Sequence, residues 1–133
     1  MIGLDTNVLV RYITQDDPRQ AKIAERAIEQ AVTSGEKILI QPVILCELVW
    51  VLESAYGYAQ SDIVPVIEQI LRTARFEIAD KDIIRRALED FAEGRADFAD
   101  YLIGRANERD GAHTTLTFDT SLKECRRFTM LKV

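Results

Sequence analysis

Short apolar runs recurring between amphipathic segments restrict this chain more than any other feature. Ile2-Gly3-Leu4, Ile38-Leu39-Ile40, Phe76-Glu77-Ile78, Thr114 to Phe118 and Thr129-Met130-Leu131 each have strand length, and helical periodicity fills most of the intervals. Strands separated by helices connect by right-handed crossovers, which build a mainly parallel sheet with helices on both faces. The expected class is therefore α/β. A parallel strand covered on both faces reads as unbroken hydrophobics, and functional groups gather at its carboxyl end. Asp5 ends the first run and Asp119 the fourth.

The punctuation agrees with this alternation. After Asp5, Thr6 or Asn7 is expected to cap a first helix carrying Val8, Leu9, Val10, Tyr12 and Ile13. Asp17-Pro18 opens a second, with Ala24, Ala27, Ile28 and Ala31 at helical spacing and Gly35 as its stop. Pro42 opens a third, from Val43 to about Tyr56, apolar around much of its circumference, so that it is either a central core helix or one that adds a partner surface anchored by Trp50. Later helices are expected from Ser61 to Ala74, after Asp80 to Gly94, and from Phe98 to Arg109 behind an Asp97 cap.

A chain of 133 residues, 47% hydrophobic, suits one domain (1–133) that needs no disulfide or structural metal. No apolar run has membrane length and the amino terminus lacks a secretory pattern, so a cytoplasmic protein is expected. Cys46 and Cys125 match no metal or redox spacing and read as reduced. The net charge of −5 argues at first against a nucleic-acid partner. Yet once Asp5, Glu47, Asp97, Asp100 and Asp119 are set aside, 17 acids face 17 bases. A polyanion can then bind if divalent cations fill the acidic site.

Those five acids hold positions of common meaning. Asp5 and Asp119 end strands, Glu47 lies in the first turns of the helix after strand two, and Asp97 and Asp100 share one face at a helix start. Individually each has a plain structural explanation as a cap, turn or surface acid; Glu47 is the hardest to dismiss, because its neighbours are hydrophobic. Together they repel, two like charges about 4 Å apart by roughly 4 kcal/mol at an effective dielectric near 20. An oxygen-only donor set suits Mg²⁺ or Mn²⁺ rather than zinc. The one histidine, His113, is expected to be a partly buried structural residue.

Leu4-Asp5-Thr6-Asn7-Val8-Leu9-Val10, the Glu47-Leu48 step, Ala96-Asp97-Phe98-Ala99-Asp100-Tyr101-Leu102-Ile103 and Leu116-Thr117-Phe118-Asp119 occur in this order across almost the whole chain. In this the sequence resembles the PIN-domain ribonucleases, specifically the VapC toxins of toxin–antitoxin pairs. The resemblance implies a three-layer α/β/α sandwich with a five-stranded parallel sheet, Mg²⁺- or Mn²⁺-dependent RNA cleavage by a homodimer, and inhibition by a VapB-type antitoxin. Asp5, Glu47, Asp100 and Asp119 match the acidic quartet, Asp97 an acid present in some members, and Thr117 the threonine of the last motif. Phe118-Asp119 stands where many relatives have Asn-Asn or Asn-Asp.

With no histidine or lysine placed as general base, hydrolysis is expected to use water activated by the metal, leaving a 5′-phosphate and a 3′-hydroxyl. Arg11, Lys123, Arg126 and Arg127 are candidate phosphate clamps. Two other classes compete. A phosphoryl-accepting domain of receiver or phosphatase type would want a second acid beside the first, where this chain has Thr6-Asn7. A non-catalytic interaction module built on the Trp50 helix would have no need of the acids.

Overall fold

The computed structural model describes residues 1–133 as an α/β chain of two compact units, Met1–Asp80 and Lys81–Val133. The first unit runs β1 (Ile2–Gly3), α1 (Thr6–Thr14), α2 (Pro18–Thr33), β2 (Ile38–Ile40), α3 (Pro42–Tyr56), α4 (Gln60–Arg72) and β3 (Phe76–Ile78). The second runs α5 (Lys81–Glu93), α6 (Phe98–Arg109), β4 (Thr115–Thr117), a short 3₁₀ turn (Thr120–Leu122) and β5 (Phe128–Met130).

All strand pairings are parallel, as the alternation requires. Ile2 pairs with Ile38 and Ile38 with Phe76 in the ladder β1-β2-β3, while Thr115 pairs with Phe128 in the ladder β4-β5. The five expected strands are thus present, but their hydrogen bonds form ladders of three and two rather than one five-stranded ladder. Each ladder lies within one unit, β1-β2-β3 in Met1–Asp80 and β4-β5 in Lys81–Val133.

Helix α3 follows from its composition. Ile44, Leu45, Leu48, Val49 and Leu52 are buried, while Val43 and Trp50 remain 60% and 69% exposed on the face that also carries Glu47. It is a core helix with an uncovered apolar edge. Its last turn is tied to α1 through Asp16, whose carboxylate accepts from Tyr56 Oη, from Thr14 Oγ1 at 2.9 Å and from Arg11 Nη1 at 3.2 Å. These partners hold the Asp16 carboxyl below the usual range, the Tyr56 hydroxyl contributing most.

In the second unit α5 packs on α6, with Phe91 and Phe98 edge to face at 5.9 Å. Arg105 clasps Asp90 with two bonds, Nε to Oδ2 at 2.8 Å and Nη2 to Oδ1 at 2.9 Å. Gly104 lets Phe128 of β5 approach the helix, since a Cβ there would lie 2.7 Å from the ring. Asp80, expected to cap α5, instead has a left-handed backbone (φ 55°), which Asp tolerates better than most residues.

Candidate active site

Asp5 is itself the N-cap of α1: its backbone is extended and Oδ1 accepts the Thr6 N–H at 2.7 Å. The expected caps, Thr6 and Asn7, already belong to the helix, and the Thr6 hydroxyl is engaged elsewhere, donating to Glu47 Oε1 at 2.9 Å. Asp5, Thr6 and Glu47 are therefore linked in one chain of contacts, so two acids separated by 42 positions share a neighbourhood within the first unit. Glu47 is exposed, contrary to the expectation that hydrophobics surround it, because α3 turns positions 43, 47 and 50 outward.

The second unit assembles three more acids. Asp97 has the extended conformation of an N-cap without a side-chain capping bond, and Asp100 Oδ2 reaches back to accept its N–H at 3.3 Å. Burial pushes the Asp100 carboxyl above its ordinary range; the Asp97 N–H opposes that shift, and the charges of Asp97 and Asp119 reinforce it. Asp119 is held the other way. Its Oδ1 accepts from Ser121 Oγ at 2.7 Å and Ser121 N at 2.9 Å, which lowers its pKa. Thr117 Oγ1 accepts the Asp119 N–H at 3.0 Å, so the threonine positions the turn that carries the acid.

Tyr101 and Ser121 had no role in the sequence reading. The Tyr101 side chain is buried and its hydroxyl accepts the N–H groups of Arg95 and Ala96 at 3.1 and 3.2 Å, pinning the segment before Asp97. Gly94 makes room for it, since a Cβ there would sit 1.8 Å from that oxygen. A tyrosine beside a site acid at a helix start was the available signal.

Other expectations change. Arg11 is not free to clamp phosphate: its guanidinium is bonded to Gln20, Asp16 and Tyr56. Arg127 is paired with Glu108 at 3.3 Å. His113 is exposed rather than partly buried, because it stands in the loop before β4. Both cysteines are free and half-buried, and burial raises the Cys46 thiol, as suits an unreactive group.

Nowhere do three Asp, Glu, His or Cys side chains gather closely enough to hold an ion by themselves. The donor chemistry nonetheless fits a hard divalent cation: every candidate atom is an oxygen, and the Asp97 and Asp119 charges add to the burial that disfavours ionisation of Asp100. Mg²⁺ commonly keeps several waters and takes only one or two carboxylates together with substrate phosphates.

Five parallel strands alternating with helices, with acids at strand ends and helix starts, define a class that comparison with known proteins identifies. The PIN domain family matches residues 2–127, and the chain belongs to that family. It is also 28% identical over 121 residues to a VapC ribonuclease of Aquifex aeolicus (strain VF5), an alignment covering 91% of this chain and 89% of that protein.

Proposed function

We propose that this protein is a metal-dependent endoribonuclease and the toxin of a type II toxin–antitoxin pair, its two units acting as one PIN domain. Asp5, Glu47, Asp100 and Asp119 would hold Mg²⁺ or Mn²⁺, with Asp97 assisting and Thr117 positioning Asp119. The observation that carries this reading is the Thr6 bridge, which ties Glu47 to the start of α1 beside Asp5. The similarity to a VapC ribonuclease supports RNA as substrate and a VapB-type antitoxin as inhibitor; the working form we propose is a homodimer. No helix is long and apolar enough to cross a membrane; the location we propose for the toxin is the cytoplasm.

The chain's own residues have distinct duties. Thr6 orients Glu47 and leaves that carboxylate its second oxygen; Ser121 fixes Asp119 as an ionised acceptor; Tyr101 holds the segment that delivers Asp97. When bound, the cation supplies Lewis acidity to the phosphoryl oxygens and an acidified water near neutral pH. No second side chain with the pKa of a general base is needed. The exposed Val43 and Trp50 beside Glu47 support a protein partner on that face of α3.

The test compares wild type with Asp5→Asn and Glu47→Gln on single-stranded RNA, with EDTA and then with Mg²⁺ or Mn²⁺ restored. Cleavage is expected only with metal, falling at least about 100-fold in each variant, and leaving 5′-phosphate and 3′-hydroxyl ends. A 2′,3′-cyclic phosphate product, or full activity in EDTA, overturns the mechanism.

A further inference from the structure

The second unit contains an open cleft of about 920 Å³ whose wall includes Thr120 and Ser121, the residues immediately after Asp119. Its charged lining divides into two kinds. Asp90 is neutralised by Arg105, and Arg127 by Glu108. Arg95, Lys123 and Arg126 are exposed and make no ion pair, although Glu93 and Glu124 stand on the same wall. Three uncommitted cations in one concavity are unexpected in a chain of net charge −5, where carboxylates to neutralise them are plentiful.

Resting on the nuclease reading, we infer that this cleft is the track for the RNA backbone next to the scissile phosphate, with Arg95, Lys123 and Arg126 as its phosphate-positioning residues. The volume is on the scale of pockets that enclose whole drug-sized ligands, so it holds more than one phosphate group. Thr120 and Ser121 place the cleft beside Asp119, where a strand leaving the reacting centre needs guidance. Arg95 is prepared for the task. The Tyr101 hydroxyl accepts the N–H groups of residues 95 and 96, and Gly94 permits that approach, so the backbone under the guanidinium is fixed before RNA arrives. The set differs from the one expected from sequence: Arg11 and Arg127 are already paired, and Arg95 takes their place.

The experiment measures binding of a short fluorescent single-stranded oligoribonucleotide by anisotropy in EDTA, across a salt series, for the full chain. Counterion release gives a slope of log K against log salt of about 0.7 per neutralised phosphate on single strands, so the combined Arg95→Ala, Lys123→Ala and Arg126→Ala variant should lose about 2 from the wild-type slope. In the cleavage assay, the single variants should raise KM with kcat little changed, the pattern of lost uniform binding. In a Tyr101→Phe background, Arg95→Ala should cost less than in wild type, because the two act through one another. Thermal melts confirm folding of each variant. A triple variant that binds with the wild-type slope overturns the assignment of the cleft, whatever the fate of metal-dependent cleavage. Wild type that binds with the expected slope but never cleaves would sink the nuclease reading and leave the binding track standing.

Discussion

The Thr6 hydroxyl donates to Glu47 Oε1 at 2.9 Å, joining the first turn of α1 to the first turns of α3. With the Thr6 N–H bound to Asp5, a single residue orients two acids through its backbone and its side chain. Replacing the hydroxyl by a methyl group keeps the shape and releases Glu47. Thr6→Val should therefore lower metal-dependent cleavage by about 10- to 100-fold, the usual cost of losing a partner that orients a ligand, and Thr6→Ser should restore most of it. Because Glu47 is exposed, melting temperatures should scarcely differ. A variant with wild-type cleavage at limiting metal would show that Thr6 orients nothing.

Asp100 links function to a stability cost. Burial and the charges of Asp97 and Asp119 raise its pKa in the folded chain above its unfolded value. The folded state then binds a proton more readily than the unfolded one, so ionisation at neutral pH destabilises the metal-free protein, and that cost is relieved as pH falls through the raised value. Asp100→Asn should melt higher than wild type at pH 7 without metal, by about 1 kcal/mol or less given solvent screening, while losing cleavage. Added Mg²⁺ should raise the melting temperature of wild type more than that of the variant. A variant less stable than wild type in EDTA would contradict the assignment.

Asp16 has the opposite sign. Tyr56, Thr14 and Arg11 hold its carboxyl below the ordinary range, so its contribution is present above the unfolded pKa and is lost as pH falls through the folded one. Asp16→Asn should melt below wild type at neutral pH, and the gap should close in acid below the ordinary carboxylate range. Melting curves at several pH values check this. A gap that persists unchanged would mean that charge is not its source.

The fold was legible because its signals are local. Pro18, Pro42, Gly57 and the apolar runs around Ile2, Ile38 and Phe76 announce their elements without reference to the rest of the chain. The acids were legible by position: strand ends and helix starts recur at Asp5, Glu47, Asp100 and Asp119. What escaped was mostly long-range. Nothing near Arg11 in sequence says that Tyr56, 45 positions on, will occupy its guanidinium, and a buried tyrosine reads as core until its hydroxyl is seen to hold two backbone N–H groups. Gly94 reads in the sequence as a helix stop and Gly104 carries no signal there; both admit an aromatic side chain.

The Arg105 and Asp90 pair decides how α5 and α6 stay together. Their side chains are only 13% and 18% exposed, so each charge has little water to fall back on if its partner is removed. Arg105→Met alone leaves Asp90 partly buried and unpaired, and should cost about 3 kcal/mol, toward the lower end for breaking a buried pair. Asp90→Leu alone should cost less, because Arg105 also lies 3.8 Å from Glu108. The double variant removes both desolvation penalties and should recover most of the lost stability, as replacement of buried pairs by apolar residues often does. Chemical denaturation of the four proteins completes the cycle. If the double variant were as unstable as the sum of the single ones, the pair would not be coupled, and packing of the aliphatic stem of Arg105 against its neighbours would be what holds the two helices.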